Sequence, residues 1–263
     1  MQRRGLTLLE LVVVLTILVA LAGILVPMVA GLLSTTSTSA GATNASELEN
    51  WVQTYLSKSH RLDLLDNLVN NSNDSLMSFV LTNSGTSPPD IVPYALQAND
   101  VTSLNSLGVA NVYPLIENPG TTSTPPWNPT FFPYAASTSA ANLAGLPTSA
   151  PLTTGTYVAQ LNSTIAAQKL SVSSSGTYVV FGLGKYSTIS SGAEGQPKYL
   201  TETPLSFNPS FGCDPNSVYC RFGLVFQVDT TNGTTANFIG AVQFTATGVV
   251  TRDDNLIGNA NKQ

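Results

Sequence analysis

The chain has 263 residues, a formal net charge of −5, 10% charged residues and 43% hydrophobic ones. That length holds an N-terminal helix plus one domain of about 200 residues, or two small ones. A nucleic-acid binder needs a basic stripe to displace counterions, and none is present, so no nucleic-acid partner is expected. The surface, rich in Ser, Thr, Asn and Gly, suits a secreted or envelope protein better than a cytosolic enzyme.

The chain opens with Arg3-Arg4-Gly5, then Leu6-Thr7-Leu8-Leu9-Glu10, then an apolar run from Leu11 to Leu33. Between Leu6 and Met28 there are 23 residues, and Glu10 is the one charge among them. As a helix this stretch is roughly 35 Å long, enough to cross a bilayer core of about 30 Å. The arginines place its N-terminus on the cytoplasmic side and everything after Leu33 on the far side. Glu10 costs roughly 2.5–3.5 kcal/mol at membrane depth, so its presence implies a cationic partner. Cleavage after Gly5 supplies one: a new α-amine on Leu6, able to meet the Glu10 of a staggered neighbouring copy. Two other readings fit parts of the stretch. One is an ordinary secretory signal cut after Ala20-Leu21-Ala22, which the carboxylate and the long apolar continuation argue against. The other is a plain single-pass anchor.

Arg3-Arg4-Gly5 followed by Leu6-Thr7-Leu8-Leu9-Glu10 resembles the prepilin signal of type IV pilins and type II secretion pseudopilins. The resemblance covers about the first 30 residues and implies a dedicated peptidase cutting after Gly5, with N-methylation of Leu6. It further implies an assembly role for Glu10, fifth in the mature chain, and for Pro27, twenty-second. The partners it implies are the prepilin peptidase, other pilin-like subunits and an inner-membrane assembly platform. The location it implies is a single pass of the inner membrane with a periplasmic C-terminal domain, followed by a filament.

Residues 1–5 thus read as a leader, 6–33 as a transmembrane and assembly helix, and 34–44 as a linker or helix continuation. Ser46 and Glu49 form a capping-box pattern. Leu48, Trp51, Val52, Tyr55 and Leu56, extended by Leu62, Leu65 and Val69, predict an amphipathic helix over 45–69 with Trp51 and Tyr55 in the core. Residues 70–175 read as a Pro/Ser/Asn-rich insertion with short apolar pieces at Leu76–Leu81, Ile91–Leu96, Asn111–Ile116 and Phe131–Tyr134. Trp127, Phe131, Phe132 and Tyr134 are either a ligand face or loop anchors.

Residues 176–263 read as an antiparallel sheet region. Thr177–Leu183 is a buried-strand run. Arg221–Asp229 alternates, with Phe222, Leu224, Phe226 and Val228 on one face. After the Asn232-Gly233 turn, Phe238, Val242 and Phe244 share a face of Ala236–Ala246. The fold class expected is α+β and pilin-like: a long N-terminal helix, its first half transmembrane, packed on a C-terminal antiparallel sheet. Cys213 and Cys220 are expected to form a disulfide on the oxidising side of a membrane, contributing roughly 2–3 kcal/mol.

Catalytic constellations are largely absent. His60 is the sole histidine, and Gly182-Leu183-Gly184 lacks a third glycine and a following helix. No enzyme, cofactor or metal is expected. Asp253 and Asp254 are weak calcium candidates against a solvated acidic turn, since the EF-hand spacing is missing. Two functions follow: a filament subunit packed through its apolar helix, or a membrane-tethered or secreted binding domain.

Overall fold

The structure is a computed structural model that describes residues 8–58, 61–69, 90–114, 149–184, 187–191, 197, 199–200, 221–245, 248–251 and 254. Helix α1 runs from Leu8 to Ser57, 50 residues, straight through the Ser/Thr/Gly-rich stretch. Small residues suit that stretch because its end lies against the sheet: Gly41, Ala42 and Ala45 are buried, and the Gln243 side chain donates to the Gly41 carbonyl at 3.3 Å. Tertiary packing thus outweighs a weak helix propensity.

The helix stops twelve residues short of the predicted end at Val69. Leu62, Leu65, Leu68 and Val69 are all buried, but residues 62–64 are irregular and β1 spans Leu65–Asn67. Leu65 belongs to one apolar cluster while Leu68 and Val69 belong to another. A short run buried on two sides has apolar spacing that mimics a helical stripe.

The remaining strands are β2 (Ile91–Ala95), β3 (Asn111–Pro114), β4 (Ala150–Pro151), β5 (Tyr157–Leu161), β6 (Thr177–Gly182), β7 (Phe222–Val228), β8 (Asn237–Thr245) and β9 (Gly248–Val250). Three more helices are described: α2 (Ala98–Leu107), α3 (Ser163–Leu170) and α4 (Thr188–Ser191). The strands form a nine-stranded sheet of order β4-β3-β1-β6-β7-β8-β9, with β2 joined through β5. Central strand β6 pairs with β7 from Thr177↔Val228 to Gly182↔Gly223. Its other edge is shared by β5, at Tyr178–Val180, and β1, at Gly182. β1 and β3 run parallel.

The expected pilin-like α+β arrangement, one long helix on an antiparallel sheet confined to residues 176–263, is therefore corrected. The sheet is mixed, draws strands from Leu65 onward, and carries helices on both faces. On one face Leu48, Val52 and Tyr55 of α1 and Leu104 of α2 pack on Val179, Phe181, Leu224 and Phe226. On the other, Ala166 of α3 joins Tyr178, Val180, Val225, Val242 and Phe244. What reads as an insertion over 70–175 supplies β2–β5, α2 and α3, so its described parts are half of the fold.

Helix α2 has clear end signals. Asp100 accepts from the Gln97 backbone amide at 2.8 Å and from the Tyr94 hydroxyl at 2.7 Å, and Gly108 closes the helix at φ 104°. That φ is the left-handed region glycine favours at a helix end.

Strand β8 departs from the predicted alternation in an instructive way. Phe226 pairs with Phe238 but Val225 pairs with Gly240, so one residue is extra on β8. A bulge of this kind flips side chains beyond it to the other face. Phe238 accordingly packs with Phe226 in the first cluster, while Val242 and Phe244 lie in the second. The three do not share a face.

Candidate assembly surface

Residues 8–23 of α1, where described, are exposed. Leu8, Leu9, Leu11–Leu15, Ile17, Leu18, Val19 and Leu21, apart from Thr16 between them, are large apolar residues with 48–81% of their surface exposed. They occupy every side of the helix, because successive residues step by about 100°. A soluble helix laid on a domain shows one apolar stripe, whereas one apolar all round belongs inside something larger.

Thr16 is the polar side chain within Leu11–Gly23, and its hydroxyl turns back to the Val12 and Val13 carbonyls at 3.0 and 2.9 Å. Its donor is satisfied within the helix, so full burial of this stretch would strand no hydroxyl proton. Val12, Leu15, Thr16, Val19 and Ala20 line a shallow hollow of about 360 Å³ on one side of the helix.

The other end of α1 is fixed to the sheet. Glu49 accepts from the Ala241 amide at 2.9 Å, beside the β8 bulge. Tyr55 is buried and stacks edge-on against Tyr199 at 5.1 Å. Trp51, expected in the core, is instead 45% exposed and leans on the outer side of Tyr199 at 6.1 Å. At about 100° per residue, Trp51 points roughly 65° away from the mean direction of the buried stripe of Leu48, Val52 and Tyr55.

Glu10 and Pro27 both lie within α1, and their side chains are outside the described residues. Gly5, Leu6, His60, Cys213, Cys220, Asp253 and the aromatic run Trp127–Tyr134 lie outside them as well. Asp254 is described. One of its oxygens takes Lys169 Nζ at 3.1 Å and both the amide and hydroxyl of Thr251 at 3.0 Å. Burial pushes its carboxyl up, but the Thr251 amide and the Lys169 ammonium outweigh that and hold it below the usual carboxylate range. No group of three His, Cys, Asp or Glu able to hold a metal ion occurs among the described residues.

The other acids organise loops. Asp229 accepts from the Thr234 hydroxyl at 2.5 Å and from the amides of Asn232, Thr231 and Thr234, which together hold its carboxyl down at about 2. Asp90 accepts from the Val249 amide at 2.8 Å, tying the β8–β9 hairpin to the start of β2. Asp63 holds the turn into β3 by accepting from the Ala110 and Asn111 amides. Sequence reading missed the roles of Asp90 and Asp63 because their partners lie far along the chain, whereas those of Asp229 lie within five residues of it.

No family model, curated protein or solved structure matches the chain. The pilin and pseudopilin assignment implied by the N-terminal motif thus has no support from comparison and is not carried forward as a family membership. The transmembrane assignment is corrected too: among the described residues no helix is long and apolar enough to cross a membrane. The single-pass inner-membrane location is withdrawn with it.

Proposed function

We propose that the chain is a structural filament subunit that polymerises through the apolar N-terminal half of α1. The observation that carries this reading is the all-round apolar exposure of residues 8–23. Eleven large apolar side chains there offer about 900 Å² of surface, at roughly 80 Å² each on the usual transfer scale. Covering it is worth up to about 20 kcal/mol before association costs of about 4–15 kcal/mol are subtracted. The role is structural rather than catalytic, and the sheet domain is the part each subunit presents outward.

The N-terminal motif fits the same role. Cutting after Gly5 removes Arg3 and Arg4 from the end of the helix that must be buried, and leaves an amine on Leu6 within reach of a neighbour's Glu10. A prepilin-type peptidase and further copies of the chain are the partners this requires.

Mass spectrometry of the chain recovered from polymer tests the reading. The mature N-terminus is expected at Leu6, carrying an N-methyl group. Polymer built from chains that still begin at Met1 contradicts the processing step and the Glu10 pairing together.

A further inference from the structure

We infer that the hollow where β6 begins, β7 ends and β8 begins is a binding site for a neutral sugar, a single hexose or a disaccharide. The site lies in the sheet domain and does not depend on the filament-subunit reading. Its volume is about 380 Å³, near the lower end of the range of about 300–1,000 Å³ for small-ligand sites. The lining comes from three segments: 173–177 leading into β6, 227–230 closing β7, and 234–237 leading into β8. Antiparallel pairing brings them together, with Thr177 opposite Val228 and Gln227 opposite Asn237.

The walls are held from behind. The Tyr178 hydroxyl donates to the Ser173 carbonyl at 2.7 Å. The Asn99 side-chain amide donates to the Thr230 and Thr231 carbonyls at 3.0 and 2.8 Å, and the Asp229 amide donates to Ser103 Oγ at 3.2 Å. A site already fixed in shape loses less freedom when a ligand arrives.

The chemistry of the lining selects the class of ligand. No Lys, Arg or His lines the hollow, and Asp229 is its one charged residue, so a phosphate or carboxylate would meet an anion and no cation. Nor does Asp229 recruit a metal ion. One of its oxygens accepts from the Thr231 and Asn232 amides and the other from the Thr234 amide and hydroxyl. Four donors use up the lone pairs of a carboxylate. An apolar ligand would find Val228 as its one large apolar neighbour.

Neutral hydrogen bonding is what remains. The side chains of Thr177, Gln227, Thr230, Thr235 and Asn237 make no hydrogen bond to other described residues. Each of these groups both donates and accepts, and the Gln227 and Asn237 amides, opposite one another across β7 and β8, present N–H and C=O side by side. Adjacent hydroxyls on a sugar ring carry the same paired capacity. One ring replaces several separately immobilised waters. No aromatic side chain lines the hollow to stack on a ring, so a Kd of about 1 mM is expected.

Saturation-transfer difference NMR on the full chain, held in a detergent without a sugar headgroup, tests the site. The probes are glucose, galactose, N-acetylglucosamine, maltose and lactose. Saturable transfer to the ring protons of at least one of them is expected. Gln227→Met keeps the length of the side chain and removes its amide. Asn237→Ala truncates an exposed residue and keeps the test decisive if the first variant misfolds by circular dichroism. Each is expected to weaken binding by about three- to tenfold. No transfer from any of the five sugars at about tenfold above the expected Kd overturns the site. Transfer that a folded variant leaves unchanged overturns it too, as does displacement of the sugar by equimolar inorganic phosphate or calcium. Each of these outcomes leaves the filament reading standing.

Discussion

Deleting residues 1–23 is expected to abolish polymerisation while leaving the thermal midpoint within a few degrees of the full chain. The two effects separate because α1 is divided between two tasks. Residues 8–23, wherever described, are exposed, so removing them takes no contact from the core. Changes to surface positions of that kind are worth about 0.5 kcal/mol or less to folding. Ala45, Leu48, Val52 and Tyr55, which do hold the sheet, remain. The apolar surface lost is worth up to about 20 kcal/mol to association, so no residual affinity survives its removal. Sedimentation and a thermal melt on the same sample check both halves. A shortened chain that still polymerises places the contacts on the sheet domain instead.

The second large effect is on stability. Asp63 is 1% exposed and accepts from the Ala110 amide at 3.0 Å, the Asn111 amide at 2.6 Å and the Asn111 side-chain amide at 3.0 Å. Its own backbone is latched as well: its amide donates to Thr188 Oγ1 at 3.0 Å, and its carbonyl accepts from the Thr188 amide at 3.0 Å. This cluster sets the chain's path from α1 into β1 and fixes the parallel pairing of β1 with β3. Asp63→Ala leaves several donors without a partner in a buried turn, at about 1–3 kcal/mol each when unrelieved. A total loss of about 3 kcal/mol is expected, seen as a drop of about 6–12 °C in Tm for a domain of this size. The ion pair does not account for it. Arg61 reaches Asp63 at 3.7 Å from a side chain 54% exposed, so Arg61→Ala should cost about 1 kcal/mol or less. Asp63→Asn keeps an acceptor for the two backbone amides and should fall between the two. Equal losses for Arg61→Ala and Asp63→Ala, measured by thermal melts, would show that charge pairing rather than the stranded amides dominates.

Much of the central sheet was legible because strands buried on one face print their alternation plainly. Phe222, Leu224, Phe226 and Val228 do fall in one cluster, and Val225 between them falls in the other. The phase error in β8 arose where that logic is weakest. A bulge near Gly240 costs one residue of register, and nothing in the apolar pattern marks it, since a carboxylate from α1, Glu49, occupies the space a side chain at Gly240 would need. The insertion read over 70–175 failed for a different reason. Helices α2 and α3 are short and at least half polar, so their signals lie in their ends rather than their faces. Asp100, Gly108 and the Asn162 side chain, which accepts from Thr164, were the available signals. The parallel contact of β1 with β3 depends on Asp63 meeting Asn111, 48 residues away, which no local pattern encodes.

The assembly surface was visible in the sequence as an apolar run, but its shape was not. Only with the helix built do Thr16 and Ala20 fall on one side and Leu18 and Leu21 on the other. An apolar run of this length marks a helix that is apolar all round, and burial among neighbouring copies covers such a helix as well as a membrane does.

An image reconstruction of the polymer by electron cryomicroscopy tests the filament role most directly. Residues 8–23 should lie at its centre, each helix walled by the same residues of several other copies, with the nine-stranded sheets outside. A polymer held together by contacts between sheets, its N-terminal helices projecting free of one another, would contradict it.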